Sequence, residues 1–399
     1  MTFLNLPMLL TIIVFLLVLS VLVLAHEWGH FVTARKFGVK AEEFGLGFPP
    51  RAFGFYKNNQ GQWKHIFGSK EVNDCSGTIY SLNWLPLGGF VKIKGENGPS
   101  TSSGQAEDKD SFASRPIWQR AVMLSAGVIM NVVLAMALII AGFMVGLPQS
   151  LDSDLDARAI VSDRKIQIIQ VIKNSPAEQA ELKIGDTILS IDNKTFLTFQ
   201  ELQQYVNSKI GQELNYKIKR GQNLIDKRIT PALMSETGKG GVGVAISETG
   251  IVRYPWHLAI LEGFKTTFIL IWVIIVAFYE LIKGLIFGQG VTADLAGPVG
   301  IATLTGQVAR LGVVYLMQFT ALLSINLAVI NFLPFPALDG GRFLFLIIEK
   351  IKRAPVRREV ENLIHNIGFA LLMILVLVVT FRDVAKFSGA FSNIWNKLF

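Results

Sequence analysis

Apolar residues in this chain come mostly in long unbroken runs rather than in the alternation of a soluble domain. Crossing a hydrocarbon layer takes roughly 20 helical residues, and four segments hold runs of that kind: 1–37, 118–147, 313–341 and 367–383. A fifth run, Phe264 to Phe287, has an uninterrupted core only from Phe268 to Tyr279 before Glu280 and Lys283. That is short for a span, so segment 255–311 is expected to be interfacial or re-entrant. Between the first two spans lies segment 38–117. There Tyr80–Glu96 alternates apolar and polar residues about Pro86-Leu87-Gly88-Gly89, the pattern of a β-hairpin. Residues 97–110, "NGPSTSSGQAEDKD", have the composition of a flexible linker. Residues 159–233 change character again, with short strands, a turn at Ser175-Pro176 and one amphipathic helix near Phe199–Val206. The expectation is a membrane α-helical bundle of four spans, with a membrane-associated β-hairpin and an inserted α+β domain.

Composition supports a membrane protein. With 51% hydrophobic and 17% charged residues, the chain has too few charges to cover a soluble surface. The net charge of +8 is scattered and concentrates beside the apolar runs, which is a topology signal and not a nucleic-acid footprint. Arg35 and Lys36 place the C-terminal end of the first helix in the cytoplasm, and the basic segment 342–366 belongs there too. Both termini and residues 159–233 then lie outside. A fifth span would put Asp339 on the face opposite His26 and the basic segment on the wrong side. The single Cys75 excludes an internal disulfide and a multi-cysteine zinc site.

The candidate chemistry lies at the end of the first apolar run, in "HEWGH". His26 and His30 are four residues apart, so on a helix they share one face and can reach one metal ion. Glu27 points elsewhere and is free to take a proton from a water that the metal activates. Zinc suits imidazole and carboxylate ligands in a tetrahedral set with one open position. Five-residue patterns of this kind also arise by chance, but ionisable groups at membrane depth are costly unless they are used or paired.

A third ligand is needed, and Asp339 in "FLPFPALDGGRF" is the candidate. Two prolines break the helix before it, and Gly340-Gly341 allow a sharp turn. The plainer alternative is an N-cap aspartate for the following helix. Asn326 and Asn331 also lie in the third span. Helix–helix hydrogen bonding explains both, and holding an extended substrate backbone is an equal alternative for Asn326. Asn131, in "AGVIMN", is given the structural reading, with Gly127 permitting close helix approach.

These residues together resemble the site-2 protease family of intramembrane zinc metalloproteases, of the bacterial regulator-of-sigma-E protease type. "HEWGH", "SAGVIMN", "LPLGGFVKIKGE", "LAGPVGI" and "PALDGG" match it in order and spacing over nearly the whole chain. The resemblance implies zinc bound by His26, His30 and Asp339, with Glu27 as catalytic base. It also implies substrate contacts from Asn326 and from the hairpin residues Gly88, Gly89 and Val91. "VIKNSPAEQAELKIGDTILSIDN" resembles a PDZ domain, of which this chain has room for one where several relatives carry two.

The implied protein is a multi-pass enzyme of the bacterial cytoplasmic membrane that cleaves transmembrane segments of other proteins. Anti-sigma factors or remnant signal peptides, already trimmed by a site-1 type protease, are the implied substrates. A substrate helix satisfies its own backbone hydrogen bonds, so such an enzyme needs a wet cavity and a strand edge to unwind it. The alternatives are a membrane-anchored zincin acting on soluble or misfolded proteins and a non-enzymatic PDZ scaffold.

Overall fold

The computed structural model describes residues 6–72, 74–96, 109–151, 155–156, 158–172, 174–221, 223–233, 240–288, 296–354 and 356–398. Most of the expected linker at 97–110 lies outside the described residues. The chain divides into two units, 1–140 with 262–399, and 141–261.

In the first unit, α1 (Leu6–Lys36) is apolar on all sides until its last three turns. After it come β1 (Ala41–Lys57), β2 (Trp63–Phe67) and β3 (Ile79–Ile93) in one sheet. The segment expected as a hairpin is β structure, but its two arms straddle β1 instead of pairing with each other. Phe44 opposes Val91 on one side and Tyr80 on the other, and Leu46 opposes both Gly89 and Leu82. Across the sheet the order is 89–93, 41–48, 79–85, 51–57, 63–67. The Pro-Leu-Gly-Gly signal marks a reversal of the chain, whereas pairing is set by Gly45, whose missing Cβ admits Phe90, Asn83 and Ser81 within 2.8 Å. Phe31 of α1 packs on Phe44 and Tyr80 at 5.0 and 6.1 Å between rings, which fixes the sheet to the helix.

The chain then enters α2 (Ile117–Val145), antiparallel to α1. Its direction follows from its contacts: Gly127 lies beside His26 and His30, and Met123 accepts a hydrogen bond from His30.

The second unit is built on a six-stranded antiparallel sheet. Its strands are β4 (Leu147–Ser150), β5 (Ile160–Val171), β6 (Thr187–Ile191), β7 (Leu214–Arg220), β8 (Asn223–Ile229) and β11 (Val244–Arg253). The order is β4-β11-β5-β6-β7-β8, and a small ribbon pairs β9 (Ala232–Leu233) with β10 (Gly240–Gly241). Two helices, α3 (Pro176–Gln179) and α4 (Phe199–Asn207), accompany the sheet. Thr198 caps α4 by accepting from the Glu201 N–H, and Leu202 and Val206 deliver its apolar face to a core with Ile168, Ile191, Tyr216 and Ile218. The unit is wider than the 159–233 expected, because β11 joins β5 to β4 and recruits flanking chain with no alternation of its own.

Returning to the first unit, the chain forms α5 (Trp256–Ile286), α6 (Pro298–Leu311), α7 (Val313–Phe332), α8 (Asp339–Lys352) and α9 (Arg358–Leu398). Among the described residues five helices, not the four expected, are long and apolar enough to cross a membrane: α1, α2, α5, α7 and α9. The difference is α5, which continues through Glu280 and Lys283, both good helix formers, which pair with each other at 3.2 Å on its exposed side.

Length alone does not decide whether α5 changes sides. Near its start, Gly263 packs on Ile140 of α2, and after it α6 packs on Thr11 of α1 and on Asp383 of α9. Those three neighbours lie 13, 15 and 18 residues from Gly127, His26 and His365, roughly 20–27 Å along their helices at 1.5 Å per residue. All three are therefore at the end of the bundle away from the histidines. From these contacts we infer that the chain leaves and rejoins the same end, so that α5 does not reverse the topology. On a Cys75-free background, cysteines at Arg310 and Lys352 should label from opposite sides, Arg310 from outside. Labelling of both from one side would contradict this path.

Candidate metal centre

Helical spacing places His26 and His30 on one face of α1, and their rings meet edge to face at 4.8 Å. Asp339 reaches them from the start of α8. Its Oδ2 lies 3.0 Å from His26 Nε2 and 3.3 Å from His30 Nε2, and the two Nε2 atoms are 3.2 Å apart. Among the described residues these three form the one cluster of potential metal ligands. The plainer role for Asp339 does not fit, since the N-cap of α8 is Leu338 and no side chain caps the helix.

A metal fits this triangle on two grounds. Tetrahedral ligands at ~2.0–2.1 Å from zinc are about 3.3 Å from one another, close to the edges observed. The buried Asp339 Oδ2 is near both rings but aligned with neither as a hydrogen bond, so it has no partner. Two imidazole nitrogens and a carboxylate oxygen directed at one point form a donor set that suits a divalent cation.

The ring nitrogens on the far side are held in place. His30 Nδ1 donates to the Met123 carbonyl at 2.8 Å, leaving Nε2 as a lone pair. His26 Nδ1 lies 3.2 Å from Nδ2 of Asn131, a fully buried residue whose Oδ1 has no partner. Exchanging the two amide positions of Asn131 gives Oδ1 a partner, with His26 Nδ1–H donating to it. It also directs the His26 lone pair to the cluster. Ser324 of α7 donates to the Asn131 carbonyl at 2.8 Å and ties a third helix to this network. The sequence marked Asn131 only as a buried amide. Its partner is 105 positions away, and no local pattern carries that.

Glycines set the distances. A Cβ on Gly127 would lie 2.3 Å from His30 Nε2 and 2.7 Å from His26, and one on Gly29 would lie 2.2 Å from the Ala126 carbonyl oxygen. Gly340 and Gly341 act in the same way, not as a turn: their Cβ positions would lie 2.2 and 2.3 Å from the carbonyl oxygens of Leu333 and Phe335. The backbone reversal falls on Ala337, at φ +76°. Its N–H donates to His365 Nδ1 at 2.8 Å, which gives that histidine a role that spacing did not suggest.

Glu27 stands beside the triangle and accepts a hydrogen bond from the Val91 N–H at 3.0 Å. It lines a cavity of about 220 Å³ with Val23, His26, Asn331 and Asp339. Asn331 is thus on the cavity wall. Asn326 is not among its lining residues and donates to the Leu322 carbonyl of its own helix. Gly88 is buried against Val23 of α1, Gly89 is buried against the Gly45 carbonyl, and Val91 is half-buried at the strand edge facing Glu27.

Residues 14–68 and 65–375 match the model of peptidase family M50. The chain is 29% identical to "Regulator of sigma-W protease RasP" of Bacillus subtilis, over 94% of this chain and 98% of the relative. It is 30% identical to "Zinc metalloprotease RasP" of Geobacillus kaustophilus over the same shares. Part of it is similar to the solved PDZ domain of the SdrC-like protein from Listeria monocytogenes, at 26% identity. That likeness covers 22% of this chain and 92% of that one, with a TM-score of 0.20.

Gly127→Ala tests the packing account directly, because the added methyl has no free space between the two imidazoles. The purified variant should fold, shown by an unchanged circular dichroism spectrum, and should lose most of its bound metal by elemental analysis. Full metal content would show that α1 and α2 can separate without cost to the site.

Proposed function

Because the chain belongs to peptidase family M50, we propose that it cleaves within the transmembrane segments of other membrane proteins, using zinc held by His26, His30 and Asp339. The chain is a multi-pass protein of the bacterial inner membrane and a zinc metalloprotease. The observation that carries the finer reading is the closed triangle of Nε2, Nε2 and Oδ2 atoms with a carboxylate beside it, on helices apolar enough to span a bilayer. Zinc there supplies Lewis acidity and a nucleophile at neutral pH.

This chain's own residues supply the rest. Glu27 is the general base. Its Oε2 is held by the Val91 N–H, which leaves the other carboxylate oxygen to receive a proton and later return it to the leaving amine. His26 and His30 are fixed in the ligating tautomer by Asn131 and Met123. The lining of the cavity by Asn331 puts a side-chain amide within reach of a substrate backbone. The strand 89–93 has one edge paired with β1 and the other turned to α1, so an extended substrate lying along it passes Glu27. Gly89 and Val91 lie on that strand with Gly88 just before it, and Asn326, which bonds the Leu322 carbonyl of its own helix, keeps the substrate contact that the resemblance implies.

By likeness to the relative named for sigma-W, the substrates are membrane-anchored regulators of a sigma factor, and remnant signal peptides share the same chemistry. A site-1 type protease trims them first, and the inserted domain excludes untrimmed ectodomains by size.

Glu27→Gln should keep stoichiometric zinc and lose cleavage by at least ~100-fold, the lower end of what a general base contributes. Mapping product termini on a single-span substrate checks the location of the cut. Termini only in the substrate's soluble part would favour a membrane-anchored zincin instead. Val91→Pro removes the N–H that holds Glu27 and breaks the strand edge. It should retain zinc and lose most cleavage, and a variant with wild-type turnover would rule out both roles of that edge.

A further inference from the structure

A second cavity, of about 550 Å³, opens where the last turn of α1 meets the sheet, and it belongs to no part of the metal centre. Arg35, Lys40 and Lys57 line it together with Trp63, Tyr80 and Asp110. Among the described residues none of the three cations has an acidic partner. Arg35 lies over the Phe31 ring at 5.4 Å and Lys57 over Trp63 at 5.9 Å, while Lys40 donates to the Cys75 carbonyl at 3.4 Å. Asp110 pairs with Lys94 at 2.7 Å and lies within electrostatic reach of Lys40, so it offsets part of the charge and leaves Arg35 and Lys57 without an acid. Three cations against one carboxylate already shared with Lys94 leave a net positive wall that favours an anion.

The sheet beside the cavity shows what the anion is attached to. Direct pairing puts Phe53 opposite Phe67 and Leu82, Phe55 opposite His65 and Tyr80, and Lys57 opposite Trp63, so all lie on one face. The rings pack side by side at 5.2–5.7 Å. Phe53, Phe55, Trp63, Phe67 and Leu82 are nevertheless 37–64% exposed. Trp63 and Tyr80 belong to this face and to the cavity wall alike. A free phosphate compound would use the cations and leave the aromatic face without a partner. An amphiphile uses both, and Arg35 sits in the last turn of a membrane helix, the depth of phospholipid headgroups.

We propose that Arg35, Lys40 and Lys57 bind the phosphate of an anionic phospholipid, whose acyl chains lie on the face formed by Phe53, Phe55, Trp63 and Phe67. The lipid completes the sheet surface beside the proposed centre and anchors it at the membrane interface. The cavity volume falls in the range of small-ligand sites, about 300–1,000 Å³.

The test is a lipid titration of the full chain in detergent, followed by native mass spectrometry. Dioleoyl-phosphatidylglycerol should bind at one preferred site, and dioleoyl-phosphatidylcholine should not saturate it. Combining Arg35→Gln, Lys40→Gln and Lys57→Gln should weaken that binding on the order of 100-fold, from about 1 kcal/mol per basic residue. The single substitutions, for use if the triple variant unfolds, should each weaken it about 5-fold. Phe55→Ala with Phe67→Ala should also weaken it while leaving the cations intact. Equal affinity for the two lipids, or unchanged binding by the charge variants, would overturn the proposal. Displacement of the phospholipid by inorganic phosphate at similar concentration would reassign the pocket to a soluble phosphate compound. Displacement by an acidic peptide would reassign it to a protein tail.

Discussion

The candidate metal centre depends on how closely α1 and α2 approach at Gly29 and Gly127. Two helices with ordinary side chains pack with axes 8–10 Å apart, and small residues at the contact let backbones come closer. Here the space a methyl would fill at Gly127 holds the ring nitrogens of both histidines, and that at Gly29 holds the Ala126 carbonyl. Close approach also brings the Met123 carbonyl and Asn131 within hydrogen-bonding distance of the two rings. Histidine rings at membrane depth would otherwise lack partners for their second nitrogens, each costing several kcal/mol in hydrocarbon. One packing contact therefore sets both ring positions and tautomers.

Asp339 has to be delivered to the same point by a separate part of the chain, and the means are again backbone contacts. Gly340 and Gly341 let the first turn of α8 lie on the carbonyls of Leu333 and Phe335, while His365 of α9 holds the Ala337 N–H in a left-handed conformation that alanine disfavours. Two ion pairs secure α8 farther along. Arg120 of α2 clasps Glu349 through two hydrogen bonds of 2.6 and 3.1 Å, and Arg342 pairs with Glu96 just after β3. The carboxylate thus sits where α2, α8, α9 and the sheet agree, as a ligand set needs if it is to hold a tetrahedral geometry before any ion arrives.

What was legible in the sequence follows from which properties are local. Unbroken apolar runs show α1, α2, α7 and α9, because hydrocarbon imposes the same demand on every turn. The pair His26 and His30 was legible because four-residue spacing on a helix is a geometric statement. Asp339 was legible from its prolines and glycines, although the reversal falls on Ala337. Pairing across long separations was not. Alternation in Tyr80–Glu96 reports a half-buried strand, and nothing in it says that 41–48 lies between its arms. Which of Asn326 and Asn331 faces the cavity depends on the rotation of α7, which is apolar on all sides and so carries no stripe to orient it. Likewise the exposed Glu280–Lys283 pair does not break α5, and the side on which that helix ends is fixed by its contacts and not by its composition.

The Val91 N–H to Glu27 contact joins these separate devices. A carboxylate with one oxygen held by a backbone donor loses rotational freedom, and its other oxygen is aimed by the position of the strand. That strand is placed by Gly88 against Val23, by Gly89 against the Gly45 carbonyl, and by Phe31 against Phe44 and Tyr80. Displacing the sheet by one ångström would therefore move the base relative to ligands that the helices hold fixed. In the proposed reaction, a substrate strand added along 89–93 leaves the Val91 N–H with Glu27 and stiffens the strand, since a strand paired on both sides bends less than an edge. On that reading, arrival of an unwound segment firms the support on which the proposed base rests. A helix that stays wound makes no such pairing, so the same sheet that holds Glu27 would favour unwound segments over intact helices.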